Sequence, residues 1–195
     1  MSSNFTDDIK KVASVIKNGG VVITPSEGVY GISCALNSET AINRVISVKQ
    51  RDIRKGLIVV DKDLSYLNQY IDRDYLSEKN LSLLEKYWPG PHTFVLKMKD
   101  DFHSVALREN HSLAVRISGF SVFQELCKYV GEPIISTSAN ISGNMATSDI
   151  NQLDKVVVDR VDLVLSLPCQ GQNIPTTIFD TTTDTLVRKG PDWRE

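Results

Sequence analysis

Three stretches and one isolated charge carry the residue types that could do chemistry in this chain. Arg44, Lys49, Arg51, Arg54 and Lys55 crowd into residues 44–55, five basic residues against the single acid Asp52. A window of +4 calls for an anion or for water, and phosphate is an anion that guanidinium and ammonium groups hold well. A helix end, where cations meet the last carbonyls, would account for it equally. The apolar run Gly56-Leu57-Ile58-Val59-Val60 follows at once, so a core strand anchors the charges near a sheet. Pro133-Ile134-Ile135 leads into Ser136-Thr137-Ser138-Ala139-Asn140-Ile141-Ser142-Gly143, where hydroxyls, an amide and backbone N–H groups can take phosphate or carboxylate oxygens. Thr24-Pro25-Ser26-Glu27-Gly28-Val29-Tyr30-Gly31 ends another apolar run, at the kind of strand end where α/β proteins place ligands. It also reads as a plain turn with Glu27 in water and Tyr30 packed. Arg116 interrupts the alternating Leu113-Ala114-Val115-Ile117, and such a charge needs either a buried partner or a polar cavity.

Other chemistries lack their residues. There is no GxxxxGK[ST] phosphate loop and no GxGxxG dinucleotide turn. His92, His103 and His111 show no ligand or triad spacing and read as surface or loop residues. Cys34, Cys127 and Cys169 are odd in number and far apart, which fits free thiols in a reducing compartment and no metal site. The 195 residues carry 22 Lys+Arg against 24 Asp+Glu, a net charge of −2. That balance excludes a wholly basic nucleic-acid binder but leaves room for a local basic pocket. The apolar stretches are too short to span a membrane, and acids occupy the N-terminus where a secretory signal needs an apolar run, so a cytoplasmic location is expected.

The elements that must position these groups follow from periodicity. Asp7-Asp8 precede Ile9, Val12, Ala13 and Ile16 at helical spacing, and Gly19-Gly20 stops the helix. Further helices are expected from Ser38 to Lys49, from Asp63 through Tyr70, over Ser77–Tyr87, Ser121–Val130 and Asp149–Lys155. Strands are expected at Val21–Thr24, Gly56–Val60, Thr93–Met98, Leu113–Ile117, Ile134–Thr137, Val161–Leu165, Thr177–Asp180 and Thr185–Arg188. Strands alternating with helices, with no linker or repeat, predict one α/β domain over residues 1–195 with a mixed sheet covered by helices.

Together the stretches TPSEGVYGI (24–32), KQRDIRKGLIVV (49–60), WPGPHTFVL (88–96), LAVRIS (113–118), PIISTSANISG (133–143), DLVL (162–165), PTTIFD (175–180) and VRKG (187–190) resemble the YrdC-like family, in its short bacterial threonylcarbamoyl-AMP synthase form. The chain ends soon after VRKG, as in forms without an additional C-terminal domain. The resemblance implies a twisted mixed α/β sheet around a basic concave cavity. It implies conversion of L-threonine, bicarbonate and ATP to threonylcarbamoyl-adenylate, diphosphate and water. Partner proteins would then move the threonylcarbamoyl group to adenosine 37 of tRNAs reading codons that begin with A.

By position, Lys49, Arg51 and Lys55 would hold ATP phosphates, with Lys49 and Arg51 closest to catalysis. Ser112, Ser138, Asn140 and Arg188 match further nucleotide contacts. Arg116 would clamp the threonine carboxylate, with Ser136 and Thr176 lining the amino-acid site and Ser26, Glu27 and Tyr30 bordering it. Gly28 stands where a threonine is frequent and has no side chain to make that contact; His92 replaces a usual apolar residue. Mg²⁺ would accompany ATP, held by phosphates and water rather than by a protein cage. Replacing Lys49 or Arg51 would weaken ATP handling with little loss of stability. A rival reading is a double-stranded RNA grip acting in RNA maturation, which would spread phosphate contacts over a face and show steep salt dependence.

Overall fold

The computed structural model describes residues 4–52, 54, 56–171, 174–190 and 193. Among the described residues ten strands form one mixed sheet: β1 (Phe5–Thr6), β2 (Val22–Thr24), β3 (Gly31–Ala35), β4 (Ile58–Asp61), β5 (His92–Lys97), β6 (Ser112–Ile117), β7 (Ile134–Ser138), β8 (Leu163–Leu165), β9 (Thr177–Asp180) and β10 (Thr185–Arg188), in the order β1-β8-β2-β3-β7-β4-β6-β5-β9-β10. β4 and β6 pair parallel, as do β5 and β9, whereas β3, β7 and β4 run antiparallel in succession. The expected α/β class and mixed sheet are therefore present.

Helices α1 (Ile9–Lys17), α2 (Glu39–Lys49), α3 (Glu78–Tyr87), α4 (Ser121–Val130) and α5 (Lys155–Val158) connect the strands. Local chemistry starts them: Asp8 Oδ1 accepts from the N–H groups of Lys10 and Lys11, Ser38 caps α2 and Ser77 caps α3. Two expected helices did not form. Residues 63–70 are turns: Asp63 accepts from Ser65 N–H as a cap would, but the backbone closes only isolated turns from Leu64 to Asn68 and Leu67 to Tyr70, and the chain is drawn off by Lys99 N–H donating to Tyr70 O and by the bridge of Ile71 to Met98. Residues 149–155 hold a short 3-10 turn at Ile150–Gln152, with Asp149 and then Asp154 each capping a fresh start. Two strands were not anticipated, β1 and β3, the latter continuing directly from the Ser26–Tyr30 turn.

Alternation along each strand divides the interior into two cores. Ile23, Ile32, Val59, Phe94, Val115 and Ile135 face α2, α3 and Trp193. Val22, Val60 and Ile134 face α1 and α4. Because most strands are covered on both sides, they read as apolar runs rather than as alternating ones. Ile58, Ala114, Arg116, Ser136, Ser138, Ile178 and Arg188 lie on the second face, beyond the part α1 and α4 cover, and there a cavity opens.

His92 corrects the surface reading of the histidines. It lies in β5, buried, its ring 4.3 Å from that of Tyr87. Cys34 and Cys127 are buried free thiols and Cys169 is half-buried.

Candidate active site

The cavity encloses about 320 Å³. Its wall brings together Arg51, Arg108, Arg116 and Arg188 with the hydroxyls of Ser26, Ser136, Thr137, Ser138 and Thr176 and the ring of Tyr30. No carboxylate stands among these wall residues, so a chain of net charge −2 presents a cationic interior here. Of the expected residues, Ser26, Tyr30, Arg51, Arg116, Ser136, Ser138, Thr176 and Arg188 line it. Lys55 lies outside the described residues.

Arg116 meets both readings of a charge in a strand. Its Nη2 is 3.3 Å from Glu27 Oε2, and the two side chains are 4% and 1% exposed. Its Nη1 donates to Thr176 Oγ1 at 3.1 Å, and its guanidinium lies over the Phe123 ring, 5.7 Å from the centroid. Ser118 Oγ donates to the other Glu27 oxygen at 2.6 Å. Glu27 thus stands behind Arg116 rather than in the wall. A buried carboxylate holds the guanidinium in one orientation while its edge still faces the cavity.

The neighbouring loop is shaped the same way, from behind. Lys49, at the end of α2, is 2% exposed, and its ammonium donates to the carbonyls of Ser138 and Asn140. Burial, and then the charge of Arg51, lowers its pKa to about 8. Loss of Lys49 would orphan two carbonyls, so the structure leads to a larger expected loss of stability there than the sequence alone does. Asn140 also turns inward, its Nδ2 donating to the carbonyls of Ile141 and Asn144. Ser112 is buried at the start of β6, donating to Asn110 Oδ1 at 2.5 Å, and neither it, Lys49 nor Asn140 reaches the wall.

The Ser26–Tyr30 turn is closed by its own hydroxyl. Ser26 Oγ donates to Val29 O at 2.6 Å and accepts from the N–H groups of Gly28 and Val29. Tyr30 Oη donates to Leu167 O at 2.7 Å, and burial pushes the phenol up to about 12, so it stays protonated. A Cβ on Gly28 would lie 2.1 Å from Ile174 O, so only glycine lets residues 174–176 approach this turn. Thr176 is in turn gripped twice, by Arg116 and through its carbonyl by Arg188 Nε at 2.7 Å.

Arg51 Nε donates to Gly56 O at 3.2 Å. Burial and then Arg108 lower the pKa of Arg51, and burial, Arg116 and Arg51 lower that of Arg188, so the guanidiniums feel one another. Arg108 is the wall residue that sequence reading passed over. It sits in a turn with no motif around it, and only the position of that turn just before β6 could have drawn attention to it. Among the described residues no group of His, Cys, Asp and Glu side chains is arranged to hold a metal ion, and no helix is long and apolar enough to cross a membrane.

Known proteins resemble this chain over most of its length. Residues 14–190 match the Sua5/YciO/YrdC family model, which carries the description "Telomere recombination". The threonylcarbamoyl-AMP synthase of Photobacterium profundum is 33% identical over 184 residues, 94% of this chain and 100% of that protein. That of Vibrio vulnificus strain YJ016 is 33% identical over 186 residues, 95% of this chain and 100% of the relative. Among solved structures, H234A/Y235A Sua5 of P. abyssi superposes with a TM-score of 0.84 at 25% identity, over 93% of this chain and 56% of its own. E. coli YciO gives a TM-score of 0.78 at 25% identity, over 96% of this chain and 94% of its own. P. abyssi Sua5 complexed with L-threonine gives 0.80 at 24% identity, over 88% of this chain and 50% of its own, and so bears on the fold alone. This chain spans about half the length of the two Sua5 chains. The chain belongs to the Sua5/YciO/YrdC family.

Proposed function

From membership of that family, we propose that the protein is a threonylcarbamoyl-AMP synthase, making threonylcarbamoyl-adenylate, diphosphate and water from L-threonine, bicarbonate and ATP. The observation that carries the reading is the wall itself: a row of guanidiniums suited to a polyphosphate, with one of them, Arg116, set apart among hydroxyls and oriented by a buried carboxylate. The full-length likeness to relatives of that name supports it.

In this reading the threonine carboxylate meets Arg116, beside Ser136 and Thr176, with Ser26 and Tyr30 at the border. Threonine's amine and bicarbonate form an N-carboxylate with loss of water. One of its oxygens attacks the α-phosphorus, the bond to the β-phosphate oxygen breaks, and diphosphate leaves carrying the electron pair. Once the amine has given up its proton and the N-carboxylate has formed, the nucleophile is already anionic, so the displacement at phosphorus needs no general base. It needs alignment and fixed positive charge where the leaving group gathers electrons. Arg51 and Arg188 supply that charge, with Ser138 alongside, and the family resemblance adds Lys55 by sequence position alone. Lys49, Asn140 and Ser112 act by holding the loops that carry these groups. Mg²⁺ would travel on the ATP phosphates, which suits a wall of guanidiniums and hydroxyls without carboxylates. The adenylate would pass to the proteins that modify tRNA, which places the work in the cytoplasm.

The experiment is diphosphate release from ATP and bicarbonate with and without threonine, on purified protein free of RNA. Threonine-dependent release is expected, and Arg116→Lys should raise the threonine KM more than the ATP KM, because Lys loses the planar two-point grip on a carboxylate. No release, together with tight, sequence-indifferent RNA binding at physiological salt, would overturn the enzyme in favour of the RNA grip.

A further inference from the structure

Arg108 is the one wall guanidinium to which the preceding account gives no task. Three independent features present it to the cavity. Its backbone is locked, since Arg108 N–H donates to Ser112 O at 2.9 Å and His111 N–H returns to Arg108 O at 3.0 Å, closing a turn in which His111 takes φ 58°. Its stem crosses Gly56, whose φ of +61° favours glycine and where a Cβ would come within 2.6 Å of Arg108 Cγ. Its Nη1 is 3.6 Å from Asp180 Oδ2, and the two side chains are 30% and 6% exposed, so the carboxylate stands behind and the guanidinium in front. The other Asp180 oxygen is taken up by Thr182, through its N–H at 3.0 Å and its hydroxyl at 2.6 Å. Arg108 with Asp180 therefore repeats the arrangement of Arg116 with Glu27, a wall guanidinium backed by a buried acid.

The two pairs stand apart along β6. Arg108 lies in the turn whose N–H donates to Ser112, the first residue of the strand, whereas Arg116 is its next-to-last residue, and Arg51 joins the Arg108 side by donating to the carbonyl of Gly56, the glycine beneath the Arg108 stem. Displacement at phosphorus runs in line, so the attacking and departing oxygens lie on opposite sides of the α-phosphorus. If the nucleophile is held at the Arg116 end, the diphosphate departs toward the Arg51 and Arg108 end.

Resting on the synthase reading, we propose that Arg108 contacts the diphosphate leaving group and that Asp180 is its positioning residue. As the bond between the α-phosphorus and the bridging oxygen breaks, the new charge on diphosphate falls beside Arg51 and Arg108, and no proton has to move.

The test is calorimetric binding of inorganic diphosphate and, separately, of AMP to the full chain, in wild type, Arg108→Met, Arg108→Lys and Asp180→Asn. A lost charge-assisted contact is expected to weaken diphosphate about tenfold or more in Arg108→Met. Arg108→Lys should fall between, Asp180→Asn should lose less than Arg108→Met, and AMP affinity should stay within about twofold, since its single phosphate lies toward the other end. Unchanged diphosphate affinity, or equal losses for diphosphate and AMP, would overturn the assignment. If Arg108→Met does not fold, the same comparison in Arg108→Lys decides it. Threonine-dependent turnover by the wild type keeps the two readings apart. Turnover with an unaltered diphosphate affinity in the variants sinks the Arg108 role alone. Absence of turnover sinks the synthase reading.

Discussion

Glu27 and Arg116 form a buried ion pair at the centre of the site, and Glu27→Gln tests what it does. Glutamine keeps an oxygen for Ser118 but removes the charge facing Arg116. Breaking one side of a buried pair costs about 3–5 kcal/mol, because the remaining charge loses both its partner and its water. Here Arg116 keeps the Thr176 hydroxyl at 3.1 Å and the face of Phe123, so the lower figure, about 3 kcal/mol, applies. For a chain of 195 residues, at about 2–4 °C per kcal/mol, Tm should fall by about 6–12 °C. Arg116→Met strands Glu27 and should cost as much. The double variant removes both charges and should be less destabilised than the sum of the single changes by about 2–3 kcal/mol. Urea unfolding of the three variants at neutral pH supplies the cycle. A double variant that equals the sum of its singles to within about 0.5 kcal/mol would refute the coupling. Threonine provides the functional arm. In Glu27→Gln an incoming carboxylate meets an unpaired guanidinium, so saturating threonine should raise Tm more than it does in wild type. An equal or smaller rise would show that Arg116 is not the carboxylate clamp.

Three further outcomes follow from buried groups. Lys49→Met should lower stability by about 2–4 kcal/mol, from two orphaned carbonyls, and should depress turnover with it; intact stability in chemical unfolding would show that the Ser138 and Asn140 carbonyls find other donors. Burial raises the Asp61 carboxyl to about 6, above its unfolded value, so its contribution to stability is full below about pH 4 and is lost as pH rises through 6. Solvent reaching the surface pocket that Asp61 lines reduces the loss to about 1–2 kcal/mol, and Asp61→Asn, which keeps the acceptor for Lys62 N–H, should be more stable than wild type at pH 7.5 but not at pH 4. Gly28→Ala should push Ile174 and with it Thr176 away from the turn, raising the threonine KM several-fold while leaving the ATP KM near its wild-type value; a threonine KM that does not move would mean that residues 174–176 shift without consequence.

The elements legible in the sequence were those whose signals are local. Ser121–Val130 and Thr177–Asp180 appear where periodicity set them, the first with an apolar face at helical spacing and the second as a short strand before a turn. Residues 63–70 show the converse. Leu64, Leu67 and Tyr70 have helical spacing, and Asp63 accepts from Ser65 N–H as a cap would, but Tyr70 O is taken by Lys99 N–H and Ile71 bridges Met98, and spacing carries no information about that distant competition. β3 was missed because its residues, Gly31-Ile32-Ser33-Cys34-Ala35, are not strong strand formers; it is a strand because β2 and β7 flank it and satisfy its backbone on both sides.

The same distinction separates the site residues. Arg116 announced itself, since a charge in an apolar strand has to be accounted for wherever the strand goes. Lys49 and Arg51 announced themselves as a pair, yet their side chains part: one turns back onto carbonyls behind the wall and the other forms the wall. The density of charge in a window locates an anion site without telling which members face it, because direction depends on the left-handed turn at Gln50, and that turn joins them. Arg108 gave no signal beyond the position of its turn just before β6. An arginine in a polar turn is the commonest kind of solvated charge, and what makes this one different lies far along the chain, in the acid of β9 behind it and the glycine before β4 beneath it. Neither is meaningful until the sheet order sets β4, β6, β5 and β9 side by side. A residue of this kind becomes visible only through its distant partners, so Asp180→Asn and Gly56→Ala should each reproduce part of the Arg108→Met defect in diphosphate affinity, although neither residue would touch the ligand's charge. Diphosphate affinity in both variants matching wild type would mean that the turn before β6 presents Arg108 without help from either partner.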